Sequence, residues 1–464
     1  MTIVMYAEPQ IQLLSIMENS LIEKYNVPGP RYTSYPTVPH WETADFDPEK
    51  WHEAVQDAYW SGSREVSLYI HLPFCETLCH YCACNTKITK NHGVESRYID
   101  AVLQEWKIRW DQLPDQVIIK EIHLGGGTPT FFAPNNLARL INGITENCLI
   151  AHDAEFGFEG HPNNTTPEHL KTMYELGFRR VSFGIQDFDA EVQRLINRVQ
   201  PYENVQFVTE TAREIGYGSI NFDLVYGLPG QTAESVSSTI QKTIDLSPDR
   251  IALYGYAHVP GMKPAQRLFE SRLPVAQERA GFYQFSKKVL TSAAYQDIGM
   301  DHFAKAGDKL HQAAVDGTLH RNFMGYSTQS TALQIGLGVS AISDAWSAFS
   351  QNEKVLNKYY SRLAKNELPS FKGHLLDKKD LMIRKHILNL MCRYRTTWGE
   401  AELDIFGLDM NFELLDALSK DALIDYDNEG LHITEKGKPF VRNICMALDA
   451  RLNSGRKASF SKTI

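Results

Sequence analysis

Six short apolar runs of strand character, each followed by a stretch of helical period, constrain this chain more than any other feature. The runs are 66–70 (VSLYI), 118–124 (IIKEIHL), 155–159 (EFGFE), 180–185 (RVSFGI), 219–225 (SINFDLV) and 250–256 (RIALYGY). Helical stretches follow near 95–112, 134–148, 167–176, 189–197, 202–215 and 232–246. Such alternation predicts a parallel sheet joined by right-handed crossovers. Before residue 260 there is too little chain for the eight units of a full barrel, so a partial barrel and a doubly wound sheet both remain open.

Unusual residues cluster where these runs end. Cys75 follows the first, Gly125-Gly126-Gly127-Thr128-Pro129 the second, Glu159 closes the third and Gln186 follows the fourth. Asp223 lies near the end of the fifth, and Ala257-His258 follow the sixth. In parallel α/β folds the C-terminal strand ends line one face, and that face carries the site. Polar groups on strands covered from both sides are costly unless paired or used. The glycine run lacks the downstream pattern of a dinucleotide fingerprint and the lysine of a P-loop. It reads either as a plain strand-to-loop turn or as a place where backbone approaches a ligand closely.

The run YIHLPFCETLCHYCACNT from Tyr69 to Thr86 holds four of the seven cysteines, spaced C-x3-C-x2-C-x-C at 75, 79, 82 and 84. Thiolates this close on one loop reach a common metal centre at small closure cost. Zinc sites usually pair two knuckles, and only one is present here, yet structural zinc stays a rival to an iron–sulfur cluster. Three thiolates would leave one iron of a [4Fe–4S] cluster open to a non-protein ligand. Cys148, Cys392 and Cys445 sit in apolar helical contexts and read as buried thiols. An odd total crowded onto one loop makes a poor disulfide framework, which points to a reducing, cytoplasmic compartment.

A length of 464 residues exceeds what one core usually supports. The net charge of −9 argues against nonspecific nucleic-acid binding. No apolar run reaches the length of a membrane span, and the first twenty residues lack the basic start of a signal peptide. Nothing resembles a coiled coil or a large apolar face, so a monomer is expected. GPRYTSYPT at 29–37 reads as an ordered, extended arm. Beyond 260 the rhythm fades: 264–300 reads as helical, 301–346 as irregular, and His302, His311 and His320 as structural. Helices at 377–394 and 411–419, a hairpin and a closing helix resemble a winged-helix fragment without a basic stripe. The tail GRKASFSKTI is basic and expected to be partly mobile. The expected division is 1–60 as N-terminal arm, 61–346 as barrel and 347–464 as a mostly helical C-terminal domain.

These residues together resemble the radical S-adenosylmethionine (SAM) superfamily, and within it the oxygen-independent coproporphyrinogen III oxidases. The resemblance runs from about Tyr25 to the C-terminus. It is carried by GPRYTSYPT, YIHLPFCETLCHYCACN, GGGTPT, GIQDF, VQRLINR, DLVYGLP, YAHVP, GMDHFA, LHRNF, GVSAIS and RNICM. It implies a partial (β/α)6 TIM-like barrel, a [4Fe–4S] cluster on Cys75, Cys79 and Cys82 with SAM at the open iron, and Cys84 as a non-ligand. Two SAM molecules are implied. Positions matching the family's SAM contacts are Tyr69, Tyr81, Gly126, Gly127, Thr128 and Glu159, then Gln186, Arg198, Asp223, Ala257 and Ile342.

The implied reaction cleaves SAM reductively to a 5′-deoxyadenosyl radical, which removes hydrogen from a substrate propionate. Loss of carbon dioxide and one further electron leaves a vinyl group. Two such rounds convert coproporphyrinogen III to protoporphyrinogen IX, with an external electron donor and acceptor. For the tetracarboxylate substrate the candidates are Arg31, Arg321 and Gln329. Three departures from the family pattern stand out: His161 before Pro162, where an acidic or amide residue is more usual, and Tyr81 and Ala83 in the cysteine loop. The competing readings are the haem-chaperone-like branch of the superfamily, which usually lacks both Cys84 and the arm, and more remotely a zinc-binding interaction protein.

Overall fold

A computed structural model describes residues 16–41, 46–453 and 460–463. All six expected strands form: β1 (Glu65–Leu72), β2 (Ile118–Gly126), β3 (Leu149–Gly160), β4 (Arg180–Gln186), β5 (Ser219–Tyr226) and β6 (Arg250–Gly255). They pair in parallel and in chain order, β1 to β2 through β5 to β6. A doubly wound sheet would reverse its order at a switch point. This one does not, so the partial barrel is the architecture. Helices Val94–Trp110, Pro134–Thr145, Pro167–Glu175, Ala190–Leu195, Tyr202–Ile215 and Ala233–Leu246 fill the crossovers.

Both edges are extended by segments beyond 260, where the β/α rhythm fades. Leu333–Leu337 joins β1 in parallel, and Ile342–Asp344, Ala348–Asn352 and Ser370–Leu375 follow antiparallel. On the far side His302–Lys305 pairs antiparallel with β6, and Tyr295–Gly299 completes a sheet of twelve strands. The expected helix over 264–300 is therefore divided. A 3-10 segment, Pro264–Arg272, precedes Pro274; helix Ala276–Ser292 then ends where Ala294 turns left-handed into the edge strand. The sheet also runs past residue 346. Its last two strands, Ala348–Asn352 and Ser370–Leu375, lie beyond the division expected at 346 and belong to the barrel's own sheet.

Each barrel strand is two-sided. One face is apolar and packs on the helices: Val66, Leu68, Ile70, Ile122, Leu124, Phe158, Val181, Phe183, Ile220 and Phe222 share one core. The other face is polar and turns into the barrel, carrying Tyr69, His71, Glu121, His123, Glu159, Ser182 and Asp223. Its floor is an ionic network. Arg180 donates to Glu155 at 2.8 Å, Arg250 to Asp308 at 2.7 Å, and Ser327 and Thr328 donate to Glu121 and Glu155.

Glu121 is the unsettled member: it is 1% exposed and its Oε2 has no partner. Burial pushes its carboxyl up to about 7, Arg180 opposing and Glu155 adding to the rise. The folded state thus binds this proton more tightly than the unfolded chain, and that contribution is lost as pH rises through about 7. Glu121→Gln, a neutral isostere of the protonated form, is expected to gain stability over the wild type as pH rises. The gap should widen by about 2–3 kcal/mol between pH 5 and pH 8. Urea titrations at the two pH values check this; a gap independent of pH would refute it.

A second core joins the arm to the C-terminal unit: Tyr25, Tyr32 and Tyr35 pack with Ile387, Leu390, Leu415 and Ile444. That unit contains helix Lys378–Arg393, a three-stranded antiparallel sheet (Arg395–Thr397, Gly430–Ile433, Ile424–Tyr426) and helix Val441–Leu448. Arg442 fastens arm to tail, donating to the carbonyls of Gly29, Pro30, Lys462 and Thr463. Of the tail expected to be partly mobile, 455–464, residues 455–459 and 464 lie outside the described residues; Phe460–Thr463 are placed, with Ser461 O accepting from the Gly29 N–H at 3.0 Å. Helix Pro48–Ser61, inside the segment assigned to the arm, buries Trp51, Ala54, Val55, Ala58 and Tyr59 in the barrel core. Among the described residues no helix is long and apolar enough to cross a membrane.

Candidate active site at the barrel mouth

Past β1 the chain makes a short strand, Phe74–Cys75, which pairs in parallel with Lys87–Ile88, and the cysteine loop is what lies between them. Protein bonds hold that loop on both flanks. The His80 N–H donates to Ile196 O at 2.9 Å and Asn197 Nδ2 to Leu78 O at 2.8 Å. From the other side Lys263 Nζ donates to Cys84 O at 2.8 Å and Gln266 Nε2 to Tyr81 O at 3.3 Å. All four cysteines line one cavity of about 620 Å³.

The sulfurs differ in surroundings. Burial pushes the Cys75 thiol up to about 11, against a hydrogen bond donated by Thr128 Oγ1 at 3.3 Å. Arg198 Nη1 reaches Cys79 Sγ at 3.6 Å. The Cys84 thiol donates to Cys82, which pulls Cys82 down to about 6 and holds Cys84 far above the usual thiol range. Among the described residues no three His, Cys, Asp or Glu side chains converge on a single-ion position. A [4Fe–4S] cube offers its irons at separate corners and suits thiolates that do not converge on one point.

The opposite wall comes from the next strand ends. The Gly127 N–H donates to Leu72 O at 2.9 Å and the Thr128 N–H to Phe74 O at 3.0 Å, stitching the end of β2 to the cysteine loop. A Cβ on Gly127 would lie 2.6 Å from the Pro73 carbonyl carbon, which is backbone and has nowhere to move. Gly126, at φ +110°, would press on the His71 ring. The glycines are therefore required for strand-to-loop packing, and Gly126 and Gly127 also line the cavity.

Glu159 accepts from the Gly126 N–H at 3.3 Å. Asp223 is held by Ser182 Oγ at 3.0 Å and Asn221 Nδ2 at 2.9 Å; burial, with the Glu159 charge adding, pushes its carboxyl up to about 6. Gln186 adopts φ 69°, an uncommon left-handed conformation for a side-chain-bearing residue, at the end of β4. Arg198 donates Nη2 to Gly184 O at 2.5 Å, and its Nε is buried without a partner.

Of the positions singled out in the sequence, Tyr81, Gly126, Gly127 and Thr128 line this cavity, as do Glu159, Gln186, Arg198 and Asp223. Tyr69 stands behind it, stacked on His123 at 6.2 Å. Its hydroxyl donates to His71 Nδ1 at 3.2 Å, and His71 Nε2 donates to Asn85 O at 2.9 Å. Ala257 and Ile342 are outside the cavity lining: Ala257 O accepts from Gln266, and Ile342 packs beside Trp41 and Phe349. Arg31 is outside this lining and lines a different cavity with Gly255 and Asp301; it pairs with Asp301 at 3.2 Å, donates to Gly255 O at 3.0 Å, and lies 6.0 Å from the ring of Tyr254, which does line the cysteine cavity. Arg321 lies over the Tyr326 ring at 4.7 Å. Gln329 is not brought to the mouth: it donates to Asp153 O at 3.3 Å, in the N-terminal half of β3, beside the barrel floor. Tyr254 and Asn163 were missed. Tyr254 was readable as the last inward position of β6, after Arg250 and Ala252.

Donors and acceptors of these kinds fit the group that three cysteines of this spacing imply. The sulfurs would hold a [4Fe–4S] cluster, and Glu159, Asp223 and Arg198 would meet the ammonium, hydroxyl and carboxylate groups of SAM. Residues 69–243 match the model of the Radical SAM superfamily. The oxygen-independent coproporphyrinogen III oxidase of Salmonella typhimurium is 39% identical over 454 residues, covering 96% of this chain and 98% of its own. Its counterpart in Escherichia coli K12 gives the same identity and coverage. The solved structure of coproporphyrinogen III oxidase (HemN) from Escherichia coli, described as a radical SAM enzyme, superposes with a TM-score of 0.86 at 38% identity, over 93% of this chain and 98% of that one. This chain belongs to the oxygen-independent coproporphyrinogen III oxidase family of the radical SAM superfamily.

Proposed function

We infer that this chain catalyses the anaerobic oxidative decarboxylation of two propionate side chains of coproporphyrinogen III to vinyl groups, giving protoporphyrinogen IX for haem biosynthesis. The observation that carries this is the single cavity lined by Cys75, Cys79 and Cys82 together with Glu159, Asp223 and Arg198, in a chain that matches its relatives over 96% of its length. When bound, the cluster and SAM supply a 5′-deoxyadenosyl radical that takes hydrogen from a substrate propionate.

The chain's own residues bind, orient and exclude water. Arg198 offers positive charge beside the cysteines, and Glu159 and Asp223 offer acceptors on the facing wall. Two SAM molecules are part of this reading, as are an external electron donor and acceptor, a monomeric enzyme and a cytoplasmic setting. Arg31 and Arg321 are the arginines we assign to substrate carboxylates. Arg321 is 5% exposed, with Nε and Nη1 unpaired and Nη2 3.4 Å from Arg31 O. Against burial, His302, Arg31 and Arg321 together hold Asp301 well below the usual carboxylate range, so one carboxylate already sits beside both arginines.

Anaerobic incubation of the reconstituted protein with coproporphyrinogen III, SAM and a low-potential reductant tests the reading. Protoporphyrinogen IX and two carbon dioxide molecules per turnover are expected. Absence of product together with tight haem binding would favour the chaperone-like branch. Colourless protein carrying zinc would end the iron–sulfur reading altogether.

A further inference from the structure

The loop after β3 places a histidine in the cavity with one ring nitrogen tied and the other free. The His161 carbonyl accepts from the Asn164 and Thr165 N–H groups at 2.9 and 3.0 Å, and its own N–H donates to Thr130 Oγ1 at 3.3 Å, which fixes the backbone. The Asn163 N–H donates to His161 Nδ1 at 3.1 Å. In the neutral ring that leaves the proton on Nε2. Nε2 has no protein partner among the described residues, and the ring lines the cavity. Asn163 also docks this loop on the one carrying Arg198, donating to Val199 O at 2.9 Å. Arg198 spends Nη1 and Nη2 on Cys79 and Gly184 and keeps a buried, unpaired Nε–H.

We propose that His161 Nε2–H and Arg198 Nε–H together form a two-donor site for a ligand carboxylate, with His161 as a positioning residue. Two unpaired donors on adjoining loops of one cavity, which the acceptor carboxylates Glu159 and Asp223 also line, define where negative charge on a ligand belongs. Burial, and then the Arg198 charge, hold His161 neutral down to about pH 3, so the ring donates without adding a second cation. An acidic residue in its place would pair with Arg198 and neutralise it within the protein. Histidine leaves that charge for the ligand.

The inference rests on the functional reading above, which supplies two carboxylate sources: the methionyl end of SAM and a substrate propionate. The test uses full-length holoprotein with an oxidised cluster and no reductant. SAM binding is measured by equilibrium dialysis, and coproporphyrin III, a stable tetracarboxylate probe, by fluorescence titration. His161→Leu is expected to weaken one of the two by about tenfold or more while leaving the other unchanged. His161→Gln, which keeps an N–H donor, should stay within about threefold of wild type. The affected probe identifies the carboxylate. His161→Leu within threefold of wild type for both probes would overturn the proposal. So would His161→Gln as weak as His161→Leu, or loss of both probes with loss of iron, since these mark a purely structural role. Wild-type protein that binds neither probe would instead overturn the functional reading, and this inference with it.

Discussion

Cys75→Ser is expected to yield a folded chain that holds no cluster: iron and sulfide fall from about four each per chain to background, and SAM cleavage disappears with them. Folding should survive because the loop's anchors are not sulfur contacts. His80, Asn197, Lys263 and Gln266 hold it through backbone carbonyls and one backbone N–H. The pairing of Phe74–Cys75 with Lys87–Ile88 is likewise backbone. What serine removes is a soft thiolate, and iron–sulfur clusters select thiolate over alkoxide. Cys84→Ser is the control. Its thiol acts here as a donor to Cys82, which a hydroxyl can still do, so iron content should be retained. Iron analysis, visible absorption and anaerobic SAM cleavage on both variants decide the matter. A Cys75→Ser protein that keeps its iron, or a Cys84→Ser protein that loses it, would show that the ligand set is misassigned.

How far the sequence could be read follows from the range of the interactions involved. The six barrel strands were legible because each is apolar on the helix-facing side, and strand and helix periods alternate over a few residues. Residues at the strand ends were legible for the same reason: Cys75, Glu159 and Asp223 meet because parallel strands in chain order bring like ends together. Contacts set by distant pairing were not. Leu333–Leu337 pairs with β1 across more than two hundred and fifty residues, and its five-residue run carries no local signal of that partner. Gln329 was grouped with Arg321 because they are close in sequence. In the structure Ser327, Thr328 and Thr331 bond to Glu121, Glu155 and Ser67, carrying this segment under the barrel floor and Gln329 with it. His161 was legible as a departure. Its use depends on a loop-to-loop bond from Asn163 that nothing in the sequence announces.

Glu105 is the other position where a single change should be felt throughout the barrel, and it is one that periodicity hides. It lies on the buried face of helix Val94–Trp110 at 0% exposure, where an apolar residue would be the ordinary choice. Its carboxylate accepts from five donors. Arg109 gives Nε at 2.9 Å and Nη2 at 2.8 Å, Asn352 gives Nδ2 at 2.8 Å, Tyr359 its hydroxyl at 2.8 Å, and Gly338 its N–H at 2.8 Å. Asn352 ends an edge-extension strand, Gly338 directly follows Leu333–Leu337 and Tyr359 lies on helix Leu356–Leu363 between the last two strands, so this one carboxylate ties the first crossover helix to the edge extension beyond β1. Removing it by Glu105→Ala leaves the Arg109 guanidinium 4% exposed, with Asn352 Oδ1 at 3.0 Å as its remaining acceptor. An uncompensated buried charge of this kind costs about 3–5 kcal/mol, a large share of the total stability of a folded chain. The expected result is a thermal midpoint lowered by about 3–5 °C, with amide exchange accelerated in helix Val94–Trp110 and over 333–352. The double variant Glu105→Leu with Arg109→Met should recover much of the loss, because apolar residues of similar volume replace a buried pair at little net cost. If Glu105→Ala melts within a degree or two of the wild type, the carboxylate is not the tie described. If the double variant is less stable than Glu105→Ala, its hydrogen bonds to Gly338, Asn352 and Tyr359, rather than the charge of Arg109, carry the effect.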